Sequence, residues 1–142
     1  MAAPHFLTPL LKGRAGDYAL AIDGRTTVVA STIEPAFESK TRNRGLLGRD
    51  GLAEGSALII APSNSVHTFG MRFAIDLIYA ARDGRVVKIR AAVPRSRISF
   101  ALGAFAVIEM SAGSAEKAGL RIGDMLTLRQ HRGGSLEDDL GA

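Results

Sequence analysis

The residues of this chain best suited to chemistry fall in the run His67-Thr-Phe-Gly-Met-Arg-Phe-Ala-Ile-Asp76. Polar and apolar side chains alternate there at strand spacing, which sends them to opposite faces. Phe69, Met71, Phe73 and Ile75 form a core face that continues through Leu77 and Tyr79. Thr68, Gly70, Arg72, Ala74 and Asp76 form the other face. The planar fork of Arg72 suits a carboxylate or phosphate. The expected site is therefore a small polar, anion-accepting one centred on Arg72, with Thr68, Asp76, Arg49, His67 and Glu109 around it. In an unbroken strand, Arg72 and Asp76 lie roughly 13 Å apart, at about 3.3 Å per residue. Each then needs another partner, because a buried ion is costly when unpaired. Arg49 is the expected partner for Asp76, and Glu109 for Arg72. The competing reading is an ion-pair network that only fixes strand register.

Other chemistries find less support. His67 is the one histidine away from the chain ends, since His5 and His131 lie near the termini. No two- or three-His metal spacing exists, so no metal site is expected. The chain has no cysteine. This excludes disulfides, cysteine-ligated zinc, iron–sulfur clusters and a cysteine nucleophile. Ser65 and Thr68 flank His67, but adjacent strand residues face opposite ways, so a nucleophilic triad is weakly supported. No glycine-rich phosphate loop of P-loop or Rossmann type occurs, and no cofactor is expected.

The elements that must carry these residues are short. Residues 1–16 hold two prolines and two glycines and read as an N-terminal arm, ordered in part through Phe6, Leu7, Leu10 and Leu11. Tyr18–Ile22 and Thr26–Ser31 flank Asp23-Gly24 and predict a hairpin. A short helix is expected over Pro35–Asn43, with Pro35 in its first turn and Gly45 ending it. Ala57–Ala61 predicts a strand. The central run predicts a strand from His67 to about Ala80, turning at Asp83-Gly84 into Val86–Val93. Ser99–Ala104 reads as loop, Phe105–Met110 as strand. Ser114 to Gly119 predicts one helical turn capped by Ser114, and Met125–Arg129 the last strand. Residues 132–142 are rich in glycine and acid and read as a disordered tail. The fold class is mainly β: one sandwich or barrel over residues 17–131, with one or two short helices.

Length and composition agree with that. The chain has 142 residues, 46% hydrophobic and 23% charged, which suits one globular unit with its own core. The net charge of +4 is too small to imply nucleic acid by itself. Lys88 and Arg90 alternate with Val87 and Ile89, the pattern of a solvated face. Most of the few aromatic residues read as buried, so nucleic acid is not the expected partner. No stretch approaches a membrane span, and the N-terminal ten residues lack the basic start of a secretory signal. A cytoplasmic location is the expectation.

Several blocks together resemble a known family. They are Arg42-Asn-Arg-Gly-Leu-Leu-Gly-Arg49, His67 to Asp76, Asp83-Gly84 with Val86 and Val87, Val107-Ile-Glu-Met-Ser-Ala-Gly113, and Gly119-Leu-Arg-Ile-Gly-Asp124. In order and spacing they resemble the bacterial and archaeal domain of unknown function 192, from about residue 17 to 130. The resemblance implies a compact, mostly antiparallel, jelly-roll-like β fold and carries no settled activity. Two positions depart from the family pattern. Ala74 stands where a proline is usual, and Thr41 where a glutamate is frequent. Residues 113–124 also look like the helix-turn-strand element of PDZ domains, but the carboxylate-binding loop of that fold is missing.

The functional expectation is a non-catalytic binding module that takes a small anionic or hydroxyl-rich molecule at Arg72. The alternatives are a small hydrolase or isomerase using His67 and Asp76 as acid–base groups, or a structural protein with no ligand. Whether the chain is an enzyme stays open at this level, as does its oligomeric state.

Overall fold

A computed structural model describes residues 4–131. The expected tail at 132–142 lies outside the described residues. Ten strands are present: β1 (Tyr18–Ile22), β2 (Val28–Ala30), β3 (Thr32–Ala36), β4 (Ser56–Ile60), β5 (Ser65–His67), β6 (Ile75–Ala80), β7 (Val86–Val93), β8 (Ile98–Phe100), β9 (Ala106–Ser111) and β10 (Leu126–Gln130). Three short helices join them: α1 (Pro9–Lys12), α2 (Ser39–Arg44) and α3 (Ser114–Lys117). The mainly-β expectation holds, but the barrel does not. A five-stranded sheet in the order β3-β4-β9-β6-β7 forms the middle layer. A three-stranded sheet, β10-β1-β2, and a two-stranded ribbon, β5-β8, accompany it. The β3–β4 pair is parallel, so the central sheet is mixed rather than purely antiparallel.

Both faces of the central sheet are covered, which explains its strand composition. Ala57, Ile59, Ile78, Ala80, Ile108 and Met110 face a core shared with β1, β10, α3 and the N-terminal arm. Leu58, Ile60, Ile75, Leu77, Tyr79 and Val107 face a second core closed by Leu46, Met71 and Ala101. All six residues of β6 are buried. The arm belongs to the first core: Leu7 and Leu10 are buried, and the Phe6 amide donates to the Arg82 carbonyl at 2.8 Å.

The central run is not one strand, which corrects the expected strand from His67 to Ala80. β5 ends at His67, and the chain turns through residues 68–74 before β6 begins. Thr68 is the reason. Its Oγ1 donates to the Pro94 carbonyl at 2.7 Å and accepts from the Arg97 amide at 2.9 Å, while the Thr68 amide donates to the Arg97 carbonyl at 2.8 Å. Its own carbonyl accepts from Met71 and Ser96. The segment is thereby tied to the β7–β8 connection, and Gly70 adopts φ +80°. Alternation resumes in β6, but its second face is core rather than polar surface.

Asp76 lies on that second face. Its Oδ1 accepts from the Ala92 amide at 2.8 Å and its Oδ2 from the Ala115 amide at 2.9 Å. The β6–β7 register passes from Ile75↔Val93 to Leu77↔Arg90. Ala91 and Ala92 therefore both stand opposite Asp76, one residue more than regular pairing, and Ala92 has φ +49°. One oxygen holds this bulge and the other holds an unpaired amide of the first turn of α3.

Three further differences have local causes. Pro35 sits in β3, the edge strand of the sheet, where a missing N–H is tolerated. The helix starts only at Ser39. Ile98 and Phe100 form a strand around buried Ser99 where loop was expected. Gly113 precedes α3 as its cap, and Ser114 instead shares a 2.8 Å hydrogen bond with Ser111. The Asp83-Gly84 turn is as expected. Gly84 has φ +97°, and a Cβ there would lie 2.3 Å from the Leu126 carbonyl oxygen, so glycine is required.

Removing the Asp76 carboxyl leaves two amides without their partner. Asp76→Ala is expected to lose about 3 kcal/mol of stability, the scale for stranded buried donors, and Asp76→Asn, which keeps one acceptor, distinctly less. Urea unfolding of the two variants measures this; equal losses would contradict the two-point role of the carboxyl.

Candidate functional site

Glu109 is the polar residue that the apolar layers isolate. It lies in β9 with Leu58 on one side and Leu77 on the other in register. Strand alternation turns it, with Val107, toward the second core. The residue is 5% exposed, and its Oε1 has no hydrogen-bond partner among the described residues. Above it passes the Gly45 backbone, which ends α2 with φ +50° and ψ −127°. A Cβ at Gly45 would sit 3.7 Å from Oε1. A cleft of about 450 Å³ opens between this turn, β5 and Glu109. Arg42, Asn43 and Arg44 contribute from α2, Ser65 and His67 from β5, and Leu46 and Met71 from the loops.

The charges around Glu109 are unequally engaged. Arg49 is held by a two-point contact with Glu34: Nη1 to Oε1 at 3.0 Å, and a closer one from Nη2 to Oε2. That contact holds Glu34 below the usual carboxylate range. Burial pushes the Glu109 carboxyl up to about 7, and only the more distant Arg49 field opposes the rise. Arg42 is turned back onto the Phe37 carbonyl and the Ser39 hydroxyl. The Arg44 guanidinium has no hydrogen-bond partner among the described residues, although its charge also lowers Glu34. The cleft thus combines an unsatisfied acid in its wall with basic groups from α2.

The six residues singled out in the sequence separate into different settings. His67 and Glu109 line the cleft. Thr68 and Asp76 are buried and occupied by backbone groups, as described above. The expected Arg49–Asp76 and Arg72–Glu109 pairs do not form. Arg49 binds Glu34 instead, and Arg72 binds Asp50 at 2.7 Å on the surface, where the two side chains are 60% and 88% exposed. The expected strand put Arg72 and Asp76 on one face; the turn at 68–74 separates them. Arg42, Arg44, Gly45 and Ser65 had not been grouped with Glu109. Their signal was the Arg-Asn-Arg-Gly45 block, together with a lone acid inside Val107-Ile-Glu-Met110. Among the described residues, no group of three or more His, Asp or Glu side chains is placed to hold a metal ion.

The family model described as uncharacterised ACR, domain of unknown function 192, matches residues 19–128. The chain belongs to this family. Thr41, at the position where the resemblance expected glutamate, accepts from the Glu38 amide at 3.2 Å and donates to the Glu38 carbonyl at 2.9 Å. It closes the start of α2 without an ion pair. The curated proteins contain no match. Two solved structures share the fold. One is a protein of unknown function from Novosphingobium aromaticivorans, 23% identical, with TM-score 0.67 over 77% of this chain and 81% of that one. The other, from Sinorhizobium meliloti, is described as a candidate transcription regulator. It is 22% identical, with TM-score 0.69 over 78% of this chain and 91% of that one.

The raised Glu109 value has a definite consequence for stability. The folded protein binds this proton more tightly than the unfolded chain does, so the contribution of Glu109 to stability is fully present only below about pH 4.5. It then falls as pH rises toward about 7 and is flat above that. The span corresponds to about 3 kcal/mol. Glu109→Gln, which keeps the shape of the neutral acid, is expected to match the wild type near pH 4 and exceed it by about that amount at pH 8. Urea midpoints at the two values measure the difference; a variant equally stable at both relative to wild type would contradict it. Arg72→Met is expected to change stability by no more than about 0.5 kcal/mol, as for other exposed ion pairs.

Proposed function

We propose that the protein is a binding module whose cleft takes a small polar ligand. The ligand donates a hydrogen bond or an ammonium group to Glu109 and turns an anionic or hydroxyl-bearing end toward Arg44. The observation that carries this reading is the unpartnered Glu109 oxygen in the wall of the cleft. A buried carboxyl without a donor is unfavourable by itself, and a ligand donor would remove that cost. The centre of this site is Glu109 rather than Arg72, whose guanidinium is engaged with Asp50 outside the cleft.

One observation favours a second reading, a hydrolase or isomerase. An acid that titrates at about 7 is suited to general acid–base catalysis at neutral pH. Glu109 would act there with His67; Asp76 is unsuited because both its oxygens accept backbone amides.

A thermal-shift panel of amino acids, sugar phosphates, polyols and hydroxy acids tests both readings. A ligand at a hundred times its dissociation constant adds about 2.7 kcal/mol. The shift is expected in wild type and Arg72→Met, and is expected to be lost in Glu109→Leu and reduced in Arg44→Met. No shift from any compound, or an equal shift in Glu109→Leu, would overturn the reading. Turnover of the bound compound would move it from binding to catalysis.

A further inference from the structure

The β5–β8 ribbon has one face in the protein and one open. Ser99 and Ala101 point inward and are buried, and the Tyr79 hydroxyl bonds Ser99 Oγ at 2.7 Å. Ile98, Phe100 and Leu102 alternate with them and point outward, 68%, 59% and 85% exposed. Phe69 adds to the same side: its ring lies 5.6 Å from that of His67, which pairs with Ile98 in register. The exposure of Phe69 corrects its expected place on a core face. Four of the seven large apolar side chains exposed among the described residues therefore belong to this one ribbon and its border. Scattered exposed apolar residues need no explanation, but a contiguous group marks a contact surface.

The surroundings say what kind of contact. Lys88 and Arg90 lie in β7, and Arg95 and Arg97 in the connection from β7 to β8. None of these four forms an ion pair among the described residues. Arg95 and Arg97 stand exposed at the entry to β8, and the Arg97 guanidinium is bonded only to nearby backbone carbonyls. Lys88 reaches the Phe100 carbonyl at 2.6 Å from beneath the ribbon. A second copy of the chain fits poorly, because a two-fold contact would set this basic rim against itself. Single-stranded nucleic acid calls for stacked aromatics, whereas the two most exposed positions here are Leu102 and Ile98. An apolar tip within unpaired arginines matches an anionic lipid surface, where side chains enter the acyl boundary and cations meet the headgroups. No helix of the described residues is long and apolar enough to cross a membrane, so the contact would be peripheral.

We propose that the Ile98–Leu102 ribbon docks the protein onto an anionic membrane surface. This rests on the ribbon alone and stands whether or not the cleft binds a ligand. The test is flotation of the full chain with phosphatidylcholine vesicles with and without 30% phosphatidylglycerol, at low and high salt. Binding is expected only to the anionic vesicles and is expected to weaken as salt rises. Arg95→Gln and Arg97→Gln should each lower the partition coefficient about fivefold, and Leu102→Ser about tenfold. All three sites are exposed, and an unchanged melting temperature confirms folding. Because the chain has no tryptophan, Phe100→Trp supplies a single reporter, and brominated acyl chains should quench it. Four results would overturn the proposal: no flotation with anionic vesicles, flotation unaffected by Leu102→Ser, no quenching of Trp at position 100, or tighter binding to single-stranded DNA than to vesicles. A dimer in sedimentation that Leu102→Ser dissociates would also overturn it, in favour of self-association.

Discussion

The carboxyl of Asp76 is the constraint on which the rest of this structure depends. It sits at the start of a fully buried strand, and each oxygen receives one backbone amide from a distant part of the chain. One amide belongs to the two-residue bulge of β7, the other to the first turn of α3. Neither segment has a regular ladder to hold it there. A bulge leaves its additional residue outside the strand pairing, and a one-turn helix cannot satisfy its own first amides. The carboxyl supplies both missing acceptors from one side chain. The end of β7 then leads through Pro94 and Arg97 to the Thr68 turn, and so to the ribbon. The end of α3 leads through Gly119 to β10 and the smaller sheet.

Much of this was open to sequence reasoning where a residue type dictates a backbone shape. Asp23-Gly24 and Asp83-Gly84 mark real hairpins, Gly45 ends a helix, and Gly119, at φ +67°, follows a single turn. Leu7 and Leu10 anchor the arm as their types suggest. The long central strand was misread for a physical reason. The apolar period from Phe69 to Tyr79 is unbroken, but a hydroxyl that bonds across to residues 94 and 97 cannot be seen in local spacing. Asp76 belongs to the polar face that the spacing predicts, with Arg49 as its expected partner. Its partners are amides rather than a cation, and backbone partners leave no trace in composition. Pro35 was placed by its preference for a first helical turn, yet an edge strand accepts it equally well.

The cleft was harder to anticipate than the fold, because its defining property is something missing. Glu109 lies in an apolar strand, and the sequence offers Arg72 as its partner. Arg72 and Arg49 each found an acid nearer to hand, Asp50 and Glu34. The remaining carboxyl is left among leucines, where desolvation favours the neutral form. Gly45 completes the arrangement by passing over the carboxyl without a side chain. A larger residue there would require a backbone conformation that L-residues rarely adopt. Fold and site therefore draw on different information: the first on residue preferences, the second on which charges remain once neighbours have paired.

The ribbon and the cleft share a wall. Ser65 and His67 line the cleft from β5, and both pair in register with the outward residues Phe100 and Ile98. The ribbon is only two strands wide and is attached to the central sheet by few bonds, among them Tyr79–Ser99 and the Thr68 latch. A contact on the open face would therefore involve strands that also border the cleft. If binding at one were to shift the other, the effect would run equally in both directions, since coupling between two sites is reciprocal. The same six residues of backbone set the shape of an internal site and the posture of an outer surface, so neither can be altered in evolution without the other registering the change.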